Sequence, residues 1–98
     1  MTGLEGVLSA NEVRLAIERD GLAWKLEDGC LVKVSKFADF ASAVEFFNKV
    51  AEIAENENHH PDIEVSWSKV TLRLVTHSKG GITQKDVVVA ALIDRLER

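Results

Sequence analysis

Cysteine is almost absent from this sequence, since Cys30 is the only one among 98 residues. A single thiol can form neither an intrachain disulfide nor a cysteine-based zinc site, because each of these needs a second cysteine. We therefore expect a reducing, cytoplasmic setting. Cys30 itself carries no functional signal.

Long apolar runs are also missing. No stretch approaches the roughly 20 apolar residues that span a bilayer, and residues 1–10 lack the basic start and apolar run of a signal peptide. We expect neither secretion nor membrane insertion. Linkers rich in Gly, Ser or Pro and internal repeats are absent too, and the length suits one hydrophobic core, so residues 1–98 are predicted to form a single domain.

Positive charge is scarce. Twelve Lys and Arg residues stand against sixteen Asp and Glu residues, which gives a net charge of -4. No cluster of Lys and Arg forms a stripe that could neutralise several phosphates. Direct binding to nucleic acid is therefore not expected.

The element order indicated by the sequence is α-β-β-α-β-β-α. Ser9 and Glu12 have the spacing of a capping box, which predicts a first helix over residues 10–19. Strand-like runs at 24–27 and 31–36 flank Asp28-Gly29, a dipeptide suited to a tight hairpin turn. Trp24, which opens this hairpin, is interpreted as a packing residue rather than a ligand contact.

A second helix can start after Asp39, which is a suitable cap residue, and it is predicted to end near Asn58. Pro61 restricts the residue before it towards extended geometry, so the adjacent histidines are predicted to lie on a connection into a third strand. From Lys69 to His77 the side chains alternate in polarity, which predicts a half-buried fourth strand that carries His77 at its end.

The last helix is predicted to start after Thr83, and its segment 87–93 is apolar almost all the way around. A helix that buries one side against its own sheet does not need so many apolar residues. The excess suggests a second buried surface against another subunit, and thus a homo-oligomer. The residues concerned are Val87, Val88, Val89, Leu92 and Ile93.

All three histidines, His59, His60 and His77, lie between positions 59 and 77. Unperturbed imidazole titrates near pH 6.5, so two histidines in one pocket can supply an acid and a base at neutral pH. The negative end of the preceding helix would favour imidazolium at His59. Proton transfer is the chemistry that this cluster indicates.

A longer pattern encloses these histidines and resembles the signature of the pterin-4a-carbinolamine dehydratases at every defined position. The pattern is Glu55-x3-His59-His60-Pro61-x5-Trp67-x9-His77-x8-Asp86. A His-His-Pro triplet alone would be weak evidence, but its coupling to an aromatic residue, a third histidine and an aspartate is specific. The resemblance covers roughly residues 24–96.

The resemblance implies an α+β fold, with a four-stranded antiparallel sheet and three helices packed on one face. It also implies removal of water from a 4a-hydroxytetrahydropterin in tetrahydrobiopterin recycling, which gives a quinonoid dihydropterin. His59, His60 and His77 would be catalytic, with His59 and His77 preferred for proton transfer and His60 for orienting the pterin. No metal or organic cofactor is implied, and members of the family usually form dimers and dimers of dimers.

The other residues of the signature are candidates for substrate binding, each with a plainer alternative. Glu55 either orients a histidine or is a solvated carboxylate at a helix end. Asp86 either acts in the site or completes a capping box with Thr83. Trp67 either stacks on the pterin or fills the core, and the core is favoured. Pro61 fixes the turn that aims the histidine pair.

Three further functions stay open at this stage. Three clustered histidines could bind zinc, although adjacent histidines tend to point apart. Some animal members of the family also act as dimerisation cofactors of a homeodomain transcription factor, which would make this chain a protein-binding module. The third alternative is pterin repair outside aromatic amino-acid hydroxylation, including repair linked to molybdopterin.

Overall fold

The computed structural model describes residues 6–97, and local capping signals set the first helix, α1 (Ala10–Asp20). The amide of Glu12 donates to Oγ of Ser9 at 3.1 Å, and the amide of Ser9 donates to Oε1 of Glu12 at 2.7 Å. This reciprocal pair is the predicted capping box. The helix stops at Gly21, whose φ of 61° is left-handed, as is common at helix ends.

The first hairpin consists of β1 (Lys25–Glu27) and β2 (Cys30–Lys36). Asp28 and Gly29 connect the strands with φ angles of 50° and 77°. Positive φ at both central residues is what a type I′ turn requires, so the predicted turn is confirmed. Trp24, just before β1, is buried in the core, as expected of a packing residue.

The long helix α2 (Phe40–Glu57) starts and ends where the sequence indicated. The Asp39 side chain accepts a hydrogen bond from the Ser42 amide at 2.8 Å, which caps the first turn. At the other end, Asn58 adopts a left-handed φ of 51° and terminates the helix. The chain then turns through Pro61 into the second hairpin.

The second hairpin, β3 (Asp62–Ser66) and β4 (Lys69–Leu74), completes a four-stranded antiparallel sheet. The strand order is β1-β2-β4-β3, so β4 pairs with both β2 and β3. A last helix, α3 (Gln84–Arg95), follows a short 3₁₀ turn (His77–Lys79). The predicted α+β class and element order are confirmed.

The core lies between one face of this sheet and the three helices. Along β4, the side chains of Val70, Leu72 and Leu74 are fully buried on that face, whereas Thr71 and Arg73 point to the opposite face. Helix α3 packs against both α1 and α2. Among residues 6–97 no helix is long and apolar enough to cross a bilayer.

The predicted fourth strand is wrong at its end, because β4 stops at Leu74 and His77 begins the 3₁₀ turn instead. The physical reason lies in Thr76. Its backbone leaves β4 to bridge Gly81, and its hydroxyl bonds to Asp86 and Thr83 at the start of α3. These contacts are distant in sequence, so the alternation of polarity along the strand could not reveal them.

The apolar excess of the last helix is largely used within the chain. Val87, Val89 and Ile93 are buried in the core, because α3 is covered by two helices as well as facing the sheet. Val88 is 41% exposed. These buried members therefore pack within the chain, and the expected contact with another subunit stays a prediction.

A second stripe of apolar side chains on α2 is more open to solvent. Its members recur every three or four residues along one side of the helix, and each is partly or fully exposed. The stripe comprises Phe40, Val44, Phe47 and Ala51. Helix α2 thus has an outer apolar side in addition to its core side.

Candidate active site

The candidate site lies at the end of the sheet where β3 begins and β4 ends. The end of α2 delivers the histidine pair to this place, because the His59 amide bonds to the Ala54 carbonyl at 3.1 Å after the left-handed turn at Asn58. Pro61 is buried directly before β3. The turn after β4 and the start of α3 reach the same end of the sheet.

His59 is the most buried of the three histidines. Its side chain is 11% exposed, and Nε2 lies 2.5 Å from Oδ1 of Asp86, a carboxylate with no solvent exposure. Among residues 6–97 its other nitrogen, Nδ1, has no hydrogen-bond partner. Because no buried side-chain nitrogen lacks a partner in this part of the chain, Nδ1 must reach solvent.

The other carboxylate oxygen of Asp86 is hydrogen-bonded as well. Oδ2 accepts a hydrogen bond from the Thr83 amide and another from the Thr76 hydroxyl, each at 2.8 Å. The bond from the Thr83 amide is part of the predicted capping box at the start of α3. The geometry of Asp86 is therefore compatible with both interpretations, a helix cap and a residue of the site. One oxygen secures the helix and the other meets a histidine.

His60 points towards solvent beside the end of α2. Its Nε2 lies 2.6 Å from Oε2 of Glu55, and both side chains are more than half exposed. The carboxylate of Glu55 therefore meets a histidine, which agrees with the interpretation that it orients one.

His77 faces a third carboxylate. Its Nε2 is 3.5 Å from Oδ2 of Asp62, the first residue of β3, and both side chains are largely exposed. This separation is longer than an ordinary hydrogen bond, so Asp62 is a close carboxylate neighbour of His77 rather than a hydrogen-bond partner. The contact shows that the turn after β4 brings His77 close to the chain that follows the histidine pair.

Trp67 lies elsewhere. It occupies the turn between β3 and β4 with a φ of 56°, and its side chain is 74% exposed, so the expectation that it fills the core is wrong. β3 is five residues long, which places this turn about 16 Å along the hairpin from the histidine end. Within one chain the structure does not bring Trp67 together with the histidines.

Comparison with known proteins shows the family to which this chain is similar. Residues 6–96 match the sequence model of the family described as pterin 4 alpha carbinolamine dehydratase. The chain belongs to this family. The resemblance found in the signature of the histidine cluster therefore extends over nearly the whole chain.

Curated relatives from distant organisms carry the same provisional family name, pterin-4-alpha-carbinolamine dehydratase. One from Trichormus variabilis is 51% identical over 73 residues, which cover 74% of this chain and 78% of the relative. One from a Mycobacterium species (strain KMS) is 44% identical over 92% of this chain and 95% of its own. A third, from Metallosphaera sedula, is 42% identical over 93% of this chain and 94% of its own.

Two solved structures share the fold. A Brucella melitensis protein described as a transcriptional coactivator/pterin dehydratase superposes with a TM-score of 0.85 at 29% identity, over 93% of this chain and 98% of that one. A pterin dehydratase-like protein described as a RuBisCO assembly factor in the alpha-carboxysome gives a TM-score of 0.61 at 22% identity. This match covers 76% of this chain and 87% of that one. The second likeness shows the fold alone.

Two residues of the candidate site could not be singled out from the sequence. Asp62 faces His77, and Thr76 donates to Asp86. The available signal was proximity in sequence, since Asp62 follows the His-His-Pro triplet directly and Thr76 directly precedes His77. Their partners, however, lie 15 and 10 residues away, a pairing that only the folded hairpin and helix start create.

The arrangement is suited to proton transfer. Each histidine has a carboxylate neighbour, which can fix the imidazole and stabilise its charged form. Among residues 6–97 no group of three or more His, Cys, Asp or Glu side chains is placed to hold a metal ion. Burial, followed by the charge of Asp62, raises the pKa of the Cys30 thiol, so Cys30 stays protonated at neutral pH and is a poor nucleophile.

Proposed function

We propose that this protein is a pterin-4a-carbinolamine dehydratase that acts in tetrahydrobiopterin recycling. In this reaction the C4a–O bond of a 4a-hydroxytetrahydropterin breaks, the hydroxyl leaves as water, and N5 loses its proton as the N5=C4a double bond forms. The products are water and a quinonoid dihydropterin. The step needs one group that donates a proton to oxygen and one that removes a proton from nitrogen.

The observation that carries the proposal is the pairing of three histidines with three carboxylates at one end of the sheet. The pairs are His59 with Asp86, His60 with Glu55, and His77 with Asp62. Imidazoles held in this way are suited to donate and accept protons near neutral pH. Membership of the dehydratase family supports the same reaction.

The proposed roles differ with the exposure of each imidazole. His59, fixed by a buried carboxylate, and His77, open to solvent, are the proposed proton-transfer residues. His60, with Glu55, is proposed to bind and orient the pterin. Asp86 is proposed to act through His59.

The remaining signature residues have more distant roles. Pro61 is proposed to fix the turn that aims the histidine pair, since it is buried at the start of β3. Trp67 was a candidate for pterin stacking, but its position at the far turn means that such a contact would have to come from a second copy of the chain.

A stopped-flow measurement tests the reaction directly. The 4a-hydroxytetrahydropterin is generated enzymatically, and its decay is followed with and without this protein. We expect a decay that accelerates in proportion to protein concentration, and a His59→Ala/His77→Ala double variant serves as the folded control. A decay rate that wild-type protein leaves unchanged would refute the enzymatic proposal.

A protein-binding role is the second candidate, because the Brucella melitensis neighbour is described as a coactivator as well as a dehydratase and α2 has an outer apolar stripe. The two roles separate by experiment: loss of His59 and His77 should abolish dehydration and leave partner binding intact. Pterin repair, including a link to molybdopterin, is the remaining alternative. The presence of a phenylalanine hydroxylase in the source organism would favour tetrahydrobiopterin recycling over repair.

A further inference from the structure

The hydrogen bonds of Asp86 indicate which atom carries the proton that it shares with His59. Oδ2 of Asp86 accepts from the Thr83 amide and from the Thr76 hydroxyl, while Oδ1 lies 2.5 Å from Nε2 of His59. One proton lies between Oδ1 and Nε2, and it belongs either to the carboxyl group or to the imidazole. Both assignments satisfy the distance between the two atoms. The hydrogen-bond donors around Asp86 therefore indicate which group carries the proton.

Those donors favour an ionised carboxylate. Carboxylic acids are ordinarily much more acidic than imidazolium, and hydrogen bonds donated to a carboxylate stabilise its charged form further. Asp86 has no solvent exposure, so these donors replace the water that would otherwise stabilise its charge. The shared proton then belongs to Nε2 of His59.

The Thr76 hydroxyl is the only side-chain donor to Oδ2 among residues 6–97, and it is aimed by a second hydroxyl. Oγ1 of Thr76 lies 2.8 Å from Oγ1 of Thr83. Because the single hydrogen of the Thr76 hydroxyl is donated to Asp86, the Thr83 hydroxyl must donate to Thr76. The order of donation is therefore Thr83 to Thr76 to Asp86.

We propose that Thr76 is a positioning residue, which acts through Asp86 to hold neutral His59 in the tautomer with hydrogen on Nε2. In that tautomer Nδ1 has a free lone pair and no partner among residues 6–97, so it is the nitrogen that exchanges a proton with the ligand. The assignment of Nδ1 as the reacting atom rests on the proposed dehydratase function. The tautomer and the role of Thr76 do not.

Nitrogen NMR on ligand-free protein tests the tautomer without reference to catalysis. Long-range proton–nitrogen correlations distinguish an imidazole nitrogen that carries hydrogen from one that does not, and a His59→Gln variant identifies the His59 signals. The spectra are recorded at rising pH until the His59 signals no longer change, so that the ring is neutral, and at that limit we expect wild-type His59 to show hydrogen on Nε2 alone. Hydrogen on Nδ1, or a mixture of tautomers, would overturn the proposal.

Variants of Thr76 test its role. Thr76→Val removes the hydroxyl at nearly constant shape and should produce a mixture of tautomers at His59, whereas Thr76→Ser should restore the wild-type spectrum. Thr71→Val is the matched control, because Thr71 is equally buried but lies on the opposite face of the sheet. A Thr76→Val spectrum identical to that of wild type would overturn the role of Thr76. If Thr76→Val does not fold, Thr76→Ala, which also removes the hydroxyl, replaces it with the same two outcomes.

Kinetics supply the second readout. Thr76→Val should slow dehydration about tenfold, and Thr76→Ser and Thr71→Val should stay within about twofold of wild type. Equal rates for Thr76→Val and wild type would overturn the assignment of Nδ1 as the reacting atom. If wild-type protein shows no dehydration at all, the proposed function fails, and the tautomer measurement still decides the role of Thr76.

Discussion

Nζ of Lys33 lies 2.9 Å from Oδ1 of Asp94, and the two side chains are almost completely buried between β2 and α3. Asp94 also accepts hydrogen bonds from the Ala23 amide at 2.8 Å and from Nε1 of Trp24 at 2.9 Å. Nζ of Lys33 also lies 3.0 Å from Oε1 of a second carboxylate, Glu97. The group ties the last helix to the first hairpin.

Stability should depend on the charge of Lys33 at alkaline pH. Burial alone would lower the pKa of Lys33, but hydrogen bonds to Asp94 and Glu97 outweigh it and raise the pKa above its usual value. A raised pKa in the folded state contributes stability that is complete below the unfolded value, about 10.4, and is lost as pH rises through the folded value.

Lys33→Met should therefore destabilise the protein by about 2 kcal/mol at pH 7, less than for a fully broken buried pair because Asp94 keeps two donors. The difference in free energy of unfolding between Lys33→Met and wild type should be constant up to about pH 9 and shrink above about pH 10.4. Urea unfolding across this range measures it. Lys36→Met, on the exposed face of the same strand, is the control, and a Lys33→Met difference that does not shrink contradicts the prediction.

Replacement of either histidine that we propose to transfer a proton should slow the reaction. We expect His59→Ala and His77→Ala each to lower the dehydration rate by about 10²-fold or more, as for loss of a general acid or base. Their stabilities should differ. His59→Ala leaves the buried Asp86 without one partner and should cost about 1–3 kcal/mol, whereas the exposed His77→Ala should cost at most about 0.5 kcal/mol.

Circular dichroism and urea unfolding are the controls for these two variants. If a variant is slow but remains folded, its lower dehydration rate is due to the loss of the imidazole and not to unfolding. Wild-type rates in both folded variants would show that neither imidazole transfers a proton.

Activity should not depend on a metal ion, because the elimination needs only proton transfers and a bound pterin. Prolonged treatment with EDTA, followed by its removal, should leave the stopped-flow rate unchanged. Loss of activity that added zinc restores would instead favour the alternative in which the three histidines bind zinc.

Local signals predicted much of the fold. The capping box at Ser9, the cap at Asp39 and the turn at Asp28-Gly29 each depend on residues within a few positions of one another, and all three form. Element boundaries therefore fall within a residue or two of expectation over the first helix, the first hairpin and α2. The family signature in turn located the three histidines.

Long-range contacts account for what the sequence did not predict. Lys33 and Asp94 are 61 residues apart, and only the docking of α3 on the sheet brings their charges together. The core was favoured for Trp67 because aromatic residues pack there more often than they bind ligands, but its place is a turn with positive φ that exposes the ring. Thr76 gave no sign that it would leave β4 to bond Asp86, which moved His77 from a strand into a 3₁₀ turn.

Assembly gives the last prediction, and the structure separates two neighbouring valines that the sequence could not distinguish. Val89 is 1% exposed and belongs to the core, whereas Val88 is 41% exposed. Val89→Glu should therefore unfold the chain, because a carboxylate would be buried without a partner. Val88→Glu should leave it folded, as circular dichroism would show.

The outer stripe of α2 is the stronger candidate for the subunit contact, because four apolar side chains recur there along one side of a single helix. Covering this apolar surface would contribute about 25 cal/mol per Å², so a charge in the stripe should oppose association. We expect Val44→Glu to sediment as a folded, smaller species than wild type. If Val88→Glu also sediments as a smaller species, α3 contributes to the same contact. Wild-type protein that sediments as a monomer at micromolar concentration would contradict the proposed assembly, because a contact that buries this stripe should hold at that concentration.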